Sequence, residues 1–183
     1  MIVDRDIGIV KFSHYGIALY EIEIIYSTLM GHFEAVEELK LQVDDSQYAS
    51  LVQIEFPCPY GESFFQVFTI ESWFKIKGIL KEMKRRRGRK GLKAFISFNG
   101  INSEIKSNLI FSISNKDNRH FEMGIEKIEY LVDIVPMQLN ILPTNIEEIY
   151  YNYDDSSLKW SPSIAKKTDG LLYFFKDNKW LIQ

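Results

Sequence analysis

The fold is decided by residues 71–98, which read ESWFKIKGILKEMKRRRGRKGLKAFISF. Apolar side chains recur there at steps of three and four residues, at Trp73, Ile76, Leu80 and Met83. This spacing predicts an amphipathic helix from about Glu71 to Arg87. Gly88 follows the predicted end and can adopt the positive φ that closes a helix. The apolar run Leu92–Phe98 then predicts a strand, so the stretch indicates a helix that returns the chain to a sheet.

The residues before this stretch predict mainly strands. Residues 7–12 and 17–26 are rich in β-branched and aromatic side chains, and the short segment between them predicts a hairpin turn. Residues 32–39 fit either a short helix or the entry to a strand, and we favour the helix. Three further elements are predicted in this half: a turn at 44–46, a strand at 51–56 and a strand at 64–70.

The residues after the stretch add a second helix and a final hairpin. A strand is predicted at 108–114, followed by a helix from about 119 to 135 with an apolar stripe. Residues 154–168 read as a loop. The last two apolar runs, 171–175 and 180–182, flank the turn-like KDNK and predict a hairpin.

Together these elements predict an α+β fold. We expect a mostly antiparallel sheet with two main helices packed on one face. Strand, strand and helix recur at about 51–87 and 92–140, a pattern that also fits a duplicated ββα unit. No Gly-, Ser- or Pro-rich linker divides the sequence, so residues 1–183 are expected to form a single compact domain.

The charge of the chain is distributed unevenly, although its formal net value is only −3. Residues 81–93 contain one acidic residue, Glu82, and eight basic residues, a net charge of +7. The rest of the chain has 14 basic and 24 acidic residues, a net charge of −10. We call the eight basic residues the basic island: Lys81, Lys84, Arg85, Arg86, Arg87, Arg89, Lys90 and Lys93.

This density exceeds what charge capping of a helix C-terminus requires, and it predicts contact with a polyanion. Arginine presents a planar fork of donors that matches phosphate oxygens, and the island contains no aromatic residue. Contacts to the backbone of DNA or RNA are therefore expected, rather than base reading. Three alternatives remain open: an acidic partner protein, a nuclear-import signal in KRRRGRK, and neutralisation by the protein's own acids.

The sequence contains no standard catalytic or cofactor-binding motif, neither a glycine-rich phosphate loop nor a HExxH, CxxC or GxSxG signature. The three histidines share no helical spacing: His14, His32 and His120. Residues 82–84 and 104–106 match the Glu-x-Lys part of a Mg²⁺-dependent nuclease motif, but the predicted elements place them poorly. Cys58 lies between two prolines with no base beside it. We assign no catalytic residue, metal or cofactor.

The single cysteine, the mixed-charge N-terminus and the absence of an 18-residue apolar window favour a cytoplasmic protein that does not bind a membrane. The leading hypothesis is a non-enzymatic nucleic-acid-binding accessory or regulatory protein that uses the basic island. The alternative is a protein-interaction module, an assembly subunit or an inhibitor, that docks on an acidic partner. The third is a phosphodiester-acting enzyme with scattered metal ligands. In the run Tyr150, Tyr151 and Tyr153, alternation predicts at least one outward ring. We favour packing in the core or on an edge strand for this run, and the alternative is a protein interface or base stacking by the outward ring.

Overall fold

The computed structural model of this chain describes residues 8–42, 47–102 and 104–182. In these ranges the elements follow one another as β1 (Ile9–Tyr15), α1 (Leu19–Met30), β2 (Ala35–Lys40), β3 (Ser50–Phe56), α2 (Glu62–Val67), α3 (Ile70–Arg86), β4 (Leu92–Phe98), β5 (Asn108–Ile113), α4 (Asn118–Ile125), a 3₁₀ helix (Ile128–Leu131), α5 (Ile134–Gln138), β6 (Ile146–Asp154), β7 (Lys159–Lys167), β8 (Leu172–Lys176) and β9 (Lys179–Ile182). These strands form one sheet of nine, in the order β2-β1-β3-β4-β5-β6-β7-β8-β9.

The α+β class is confirmed, and the sheet is mixed. Three neighbouring pairs run parallel, namely β1 with β2, β3 with β4, and β5 with β6. The remaining neighbours are antiparallel. The expected arrangement of two main helices is not confirmed, because the described residues form five α-helices. The duplicated ββα unit is not confirmed either.

Residues 17–26 form no strand, and this part of the prediction is wrong. Parallel neighbours need a crossover between them, and α1 is the crossover from β1 to β2. Its buried residues, Glu21, Ile25 and Leu29, recur at four-residue steps. Glu21 Oε2 accepts a hydrogen bond from the Ala18 backbone N–H at 2.8 Å, which satisfies one free donor at the helix start.

Two other predictions in the N-terminal half have helix and strand reversed. The favoured helix at 32–39 is wrong, because Ala35–Lys40 forms the edge strand β2 beside β1. The strand expected at 64–70 is also wrong, because Glu62–Val67 forms α2. The Phe64 ring lies 4.7 Å from Phe56 and 4.8 Å from Phe98, centroid to centroid, so aromatic packing with the sheet holds this short helix.

The long helix expected at 119–135 is divided into α4, the 3₁₀ helix and α5. The Gly124 carbonyl accepts a hydrogen bond from the Trp160 indole Nε1 at 2.8 Å, close to the point where α4 ends. Pro136 lies in the first turn of α5, where a missing backbone N–H costs least. A contact from a distant strand thus accompanies the break.

The C-terminal part confirms the hairpin and corrects the loop. Strands β8 and β9 pair as predicted, and the two turn residues, Asp177 and Asn178, have φ values of 50° and 57°, typical of a type I′ turn. The loop expected at 154–168 is wrong, because Lys159–Lys167 forms β7 beside β6. The pairing of β6 with β7 changes register next to Pro162, and such an irregularity accommodates proline within a sheet.

The stretch 71–98 follows its prediction closely. Helix α3 ends at Arg86, Gly88 has a φ of +55°, and β4 spans Leu92–Phe98. The strand at 51–56 and the strand at 108–114 also form, as β3 and β5. The turn expected at 44–46 and the start of the first predicted strand at residue 7 lie outside the described residues.

The two faces of strands β3 to β6 differ in burial. One face carries Val52, Ile54, Ala94, Ile96, Leu109 and Phe111, which join the helices in one apolar core. The opposite face, which we call the open face, carries half-buried or exposed side chains: Gln53, Glu55, Lys93, Phe95, Ser97, Asn108, Ile110, Glu148 and Tyr150. Within the described ranges, no helix combines the length and the apolar character that crossing a bilayer demands.

Candidate functional site

The basic island covers the last turns of α3 and the loop that leads into β4. Helix α3 contacts α1 on one side and α4 on the other. Because consecutive helical residues point in different directions, the island's side chains are divided among these two neighbours and the solvent.

Three of the island's cations form ion pairs at the surface of the helices. Lys81 pairs with Glu126, and Arg85 Nε donates to Glu122 Oε1 at 2.8 Å, both across to the segment around α4. Arg86 Nε donates to Glu82 Oε1 at 2.7 Å one turn earlier on α3. The hydrogen bond to Glu122 raises the pKa of Arg85, so this guanidinium stays charged.

Lys84 is fully buried and ties α3 to the loop before α4. Its Nζ donates to Asn118 Oδ1 at 3.1 Å and to the Lys116 carbonyl at 3.3 Å. Burial lowers the pKa of Lys84, and the charge of Asp117 acts in the opposite direction. Lys84 therefore serves as an internal cross-link and is inaccessible to a ligand.

Arg87 faces α1, where it meets a buried carboxylate. Its two terminal nitrogens donate to Glu21 at 2.5 and 2.9 Å, and it also donates to the Met83 carbonyl at 3.0 Å and to Ser50 Oγ. Only 1% of the Glu21 side chain is exposed. Burial alone would raise the pKa of Glu21, but the hydrogen bonds from Arg87 and Ala18 and the charge of Arg87 outweigh it and lower this pKa.

The last three members of the island differ from the rest. Arg89 and Lys90 are exposed, and neither forms an ion pair with an acid among the described residues. Lys93 is half-buried on the open face, with its Nζ 5.1 Å from the centre of the Phe95 ring. Burial lowers the pKa of Lys93.

Two further basic residues lie beside Arg89 and Lys90. Strands β4 and β5 are antiparallel, so the segment that follows β5 meets the loop that precedes β4. Lys116 and Arg119 come from that segment and are exposed, without an ion pair in the described part of the chain. We call these four side chains the basic rim: Arg89, Lys90, Lys116 and Arg119.

The basic rim surrounds two neighbouring surface cavities that share Arg89 and Lys116. One, of about 350 Å³, also includes Lys90, Tyr48 and Asn115 in its wall. The other, of about 450 Å³, is bounded by Gly88 and the first residues of α4, among them Arg119. These dimensions suit one or two phosphate groups held by side chains from two separate loops.

The carboxylates at these cavities have structural partners. Asp117 caps α4 by accepting a hydrogen bond from the His120 backbone N–H at 3.1 Å, and this bond lowers the pKa of Asp117. Asp155 accepts a hydrogen bond from the Asn115 side-chain amide. Among the described residues that line the two cavities, four cations thus stand against two acids.

The structure thus brings Arg89 and Lys90 together, while five other island residues face the protein's own acids or interior. Sequence reasoning missed Lys116 and Arg119. A signal for them existed, because the predicted strands 92–98 and 108–114 are consecutive. Antiparallel pairing of these two strands would have placed residue 116 beside residue 90.

The other candidate groups do not assemble. His14 pairs with Glu38, and His32 lies between the Val67 carbonyl and Ser72 Oγ, at 3.1 and 2.6 Å. Residues 82–84 and 104–106 lie near opposite ends of β4. Across residues 8–42, 47–102 and 104–182, no three His, Cys, Asp or Glu side chains come together as a metal site would require.

Cys58 is half-buried, and burial raises the pKa of its thiol to about 11. This position gives no thiolate for chemistry near neutral pH.

Comparisons of the chain with protein-family models, curated proteins and solved structures found no match in any of the three.

Proposed function

We propose that the protein is a non-enzymatic nucleic-acid-binding accessory or regulatory protein that holds phosphates at the basic rim. The single observation that supports this most strongly is the convergence on adjacent cavities of four exposed cations that form no ion pair among the described residues, two from the loop before β4 and two from the segment at the start of α4. The proposal retains the hypothesis drawn from the basic island, but it moves the contact from the helix to the loop beyond it.

Physical chemistry favours phosphate as the ligand of such a surface. Arg89 and Arg119 offer fork-shaped donor sets for bidentate bonds, and Lys90 and Lys116 add mobile point charges. The cations of α3 that already pair with carboxylates would have to break those pairs to bind a second anion. An anionic ligand should therefore bind more readily at the rim than at the paired cations of α3.

The number of rim cations sets the expected salt dependence. If each of the four contacts one phosphate of a duplex, the slope of log K against log salt concentration is about −3 to −4. Eight contacts, the whole island, would give a slope of about −7. The measured slope thus reports whether the rim or the entire island meets the nucleic acid.

The test is fluorescence anisotropy with labelled duplex and single-stranded oligonucleotides at several salt concentrations. Arg89→Glu is expected to abolish binding at physiological salt. Lys75→Glu is the matched control, because it makes the same charge change at an exposed residue of α3 remote from the rim. Equal effects of both substitutions, or no binding by the unmodified protein, would overturn the proposal.

A second candidate function is docking on an acidic protein. It is favoured by three large apolar side chains on the 3₁₀ helix and α5, Tyr130, Ile134 and Met137, which are 73%, 44% and 72% exposed. Exposed aromatic and methionine side chains are typical anchors of protein interfaces. Polyglutamate binding that exceeds oligonucleotide binding at equal salt, and that weakens in Tyr130→Ala, would favour this candidate.

A further inference from the structure

The open face of the sheet contains a depression of about 350 Å³ at its centre. Phe95 on β4, Ile110 on β5 and Tyr150 on β6 supply its apolar surface. Ile110 on β5 is the direct neighbour of Tyr150 on β6. On its other side Ile110 is the direct neighbour of Ser97 on β4, which follows Phe95 by two residues. The two aromatic rings therefore lie on a diagonal across three strands, with Ile110 between them.

Both rings are half-buried. Lys93 Nζ lies over the Phe95 ring, 5.1 Å from its centre, so a base stacks on Phe95 only where this flexible side chain moves aside. The Tyr150 hydroxyl donates to Glu148 Oε2 at 3.0 Å, and Lys166 Nζ lies 3.4 Å from the same oxygen. This chain of contacts fixes the Tyr150 ring in place. A fixed aromatic surface loses little conformational entropy when a planar ligand stacks on it.

The polar side chains of the depression match the edges of a nucleobase. Gln53 and Asn108 each carry an amide with both donor and acceptor atoms, and Ser97 carries a hydroxyl. Of the two acids there, Glu148 forms an ion pair with Lys166, and Glu55 is the direct cross-strand neighbour of Lys11. This hydrogen-bonding floor suits a base, and its two carboxylates disfavour a phosphate.

Strand β4 connects the depression with the basic rim. Lys93 follows Lys90 by three residues and precedes Phe95 by two, on the same face as Phe95 and about 7 Å from it along the strand. A strand of nucleic acid whose phosphates lie on Arg89 and Lys90 would thus pass Lys93 and reach the aromatic rings. In a duplex the bases are paired and cannot stack on a protein surface.

We infer that the open face is a stacking platform for unpaired bases of a single-stranded nucleic acid whose phosphates are held by the basic rim. This inference rests on the proposed function and adds the strand state of its ligand. Phe95 and Tyr150 each stack one base, and Gln53 and Asn108 contact base edges. The phosphates stay outside the depression, at Lys93 and the rim.

The experiment compares a labelled single-stranded 12-mer, its duplex and an abasic 12-mer of equal charge by fluorescence anisotropy. Phe95→Leu and Tyr150→Leu are expected to weaken single-strand binding about 5- to 100-fold each, while duplex binding stays unchanged. Tyr150→Phe keeps the ring but removes the hydroxyl contact to Glu148, so it should weaken binding less than Tyr150→Leu does. Phe74→Leu removes a 52% exposed ring on α3 and is the matched control.

The abasic strand tests the same inference without a variant, so loss of folding cannot imitate the result. The unmodified protein should bind it about 25- to 10,000-fold more weakly than the normal single strand, because both stacked bases are lost. Equal binding of normal and abasic strands, together with a loss in Arg89→Glu, would overturn the stacking platform and leave the proposed function standing. Absence of binding to every oligonucleotide would overturn both.

Discussion

Replacing Arg87 with methionine tests the structural role of the basic island apart from its proposed ligand-binding role. The substitution keeps the aliphatic length of the side chain and removes the guanidinium that faces Glu21. The side chain of Glu21 on α1 is buried, and no other cation lies within ion-pair distance of it among the described residues. Its carboxylate would be left in the interior without a counter-charge.

The expected loss of unfolding free energy follows from this geometry. Removing one partner of a buried ion pair costs about 3–5 kcal/mol, because the remaining charge stays desolvated. Glu21 keeps the hydrogen bonds from the Ala18 N–H at 2.8 Å and from the Tyr20 hydroxyl at 3.2 Å, so the lower limit applies. We expect a loss of about 3 kcal/mol, which lowers the urea midpoint by about 1.5 M for an m-value of roughly 2 kcal/mol/M.

The assay is urea unfolding followed by tryptophan fluorescence, with Arg86→Met as the control. Arg86 is the preceding residue, but its pair with Glu82 lies at the surface, with 53% and 38% of the two side chains exposed. Exposed pairs contribute little, so this variant should unfold almost as the unmodified protein does. The reasoning is refuted when both variants shift the midpoint equally.

Acid should reverse part of the loss in Arg87→Met. In the unmodified protein the folded-state pKa of Glu21 is lowered from 4.5, so its pair stabilises the fold above pH 4.5, and that stability is lost as the pH falls through the lowered pKa. In the variant the unpaired buried carboxylate favours its neutral form. The difference in midpoint between the two proteins should therefore begin to narrow above pH 4.5, as the carboxylate of the variant takes up a proton, and should narrow further below it.

Three other measurements test separate parts of the structure. At pH 8, iodoacetamide should label Cys58 of the folded protein about 100-fold more slowly than an ordinary thiol, since burial raises its pKa from 9.0 to about 11. Gly124→Ala should lower the unfolding free energy by about 1–3 kcal/mol, because the added Cβ would lie 2.3 Å from Ile113 Cδ1, and the melting temperature would show it. Asn178→Gly should raise the free energy of unfolding by less than about 1 kcal/mol, because this residue has a φ of +57°, which glycine adopts more readily than asparagine. Urea unfolding would measure the change.

The parts of the fold that follow from sequence are those with local determinants. Helix α3 has an apolar stripe, a threonine cap and a terminal glycine, so its period and both ends are encoded within it. The β8–β9 hairpin is likewise encoded by its turn and two short apolar runs. In these segments, tertiary structure adds packing without changing the local preference.

The parts that sequence reasoning missed depend on partners remote in the chain. Residues 19–30 are rich in isoleucine and tyrosine and look like a strand, yet the parallel pairing of β1 with β2 requires a crossover there. Residues 159–167 contain lysine, serine and proline and look like a loop. They become a strand because β6 supplies the neighbouring backbone hydrogen bonds.

The candidate site shows the same division. Composition locates the island, because charge density is a local property of the sequence. Which charges are neutralised depends on the acids of α1 and of the segment around α4, and no spacing in the sequence reports their approach. Lys116 and Arg119 join the rim only through the antiparallel pairing of β4 with β5.

Position relative to helix packing, rather than charge density, decides which cations of the island remain available. Helix α3 lies between α1 and α4, and acids on both sides meet the basic side chains that point toward them. Beyond Gly88 the chain leaves the helix, and the two carboxylates described at the cavities there, Asp117 and Asp155, form no ion pair with Arg89 or Lys90. Arg89 and Lys90 are therefore the first residues of the island that can turn to an external anion. The glycine that ends the helix thus also separates the five paired or buried cations of the island from Arg89 and Lys90, for which we propose ligand binding.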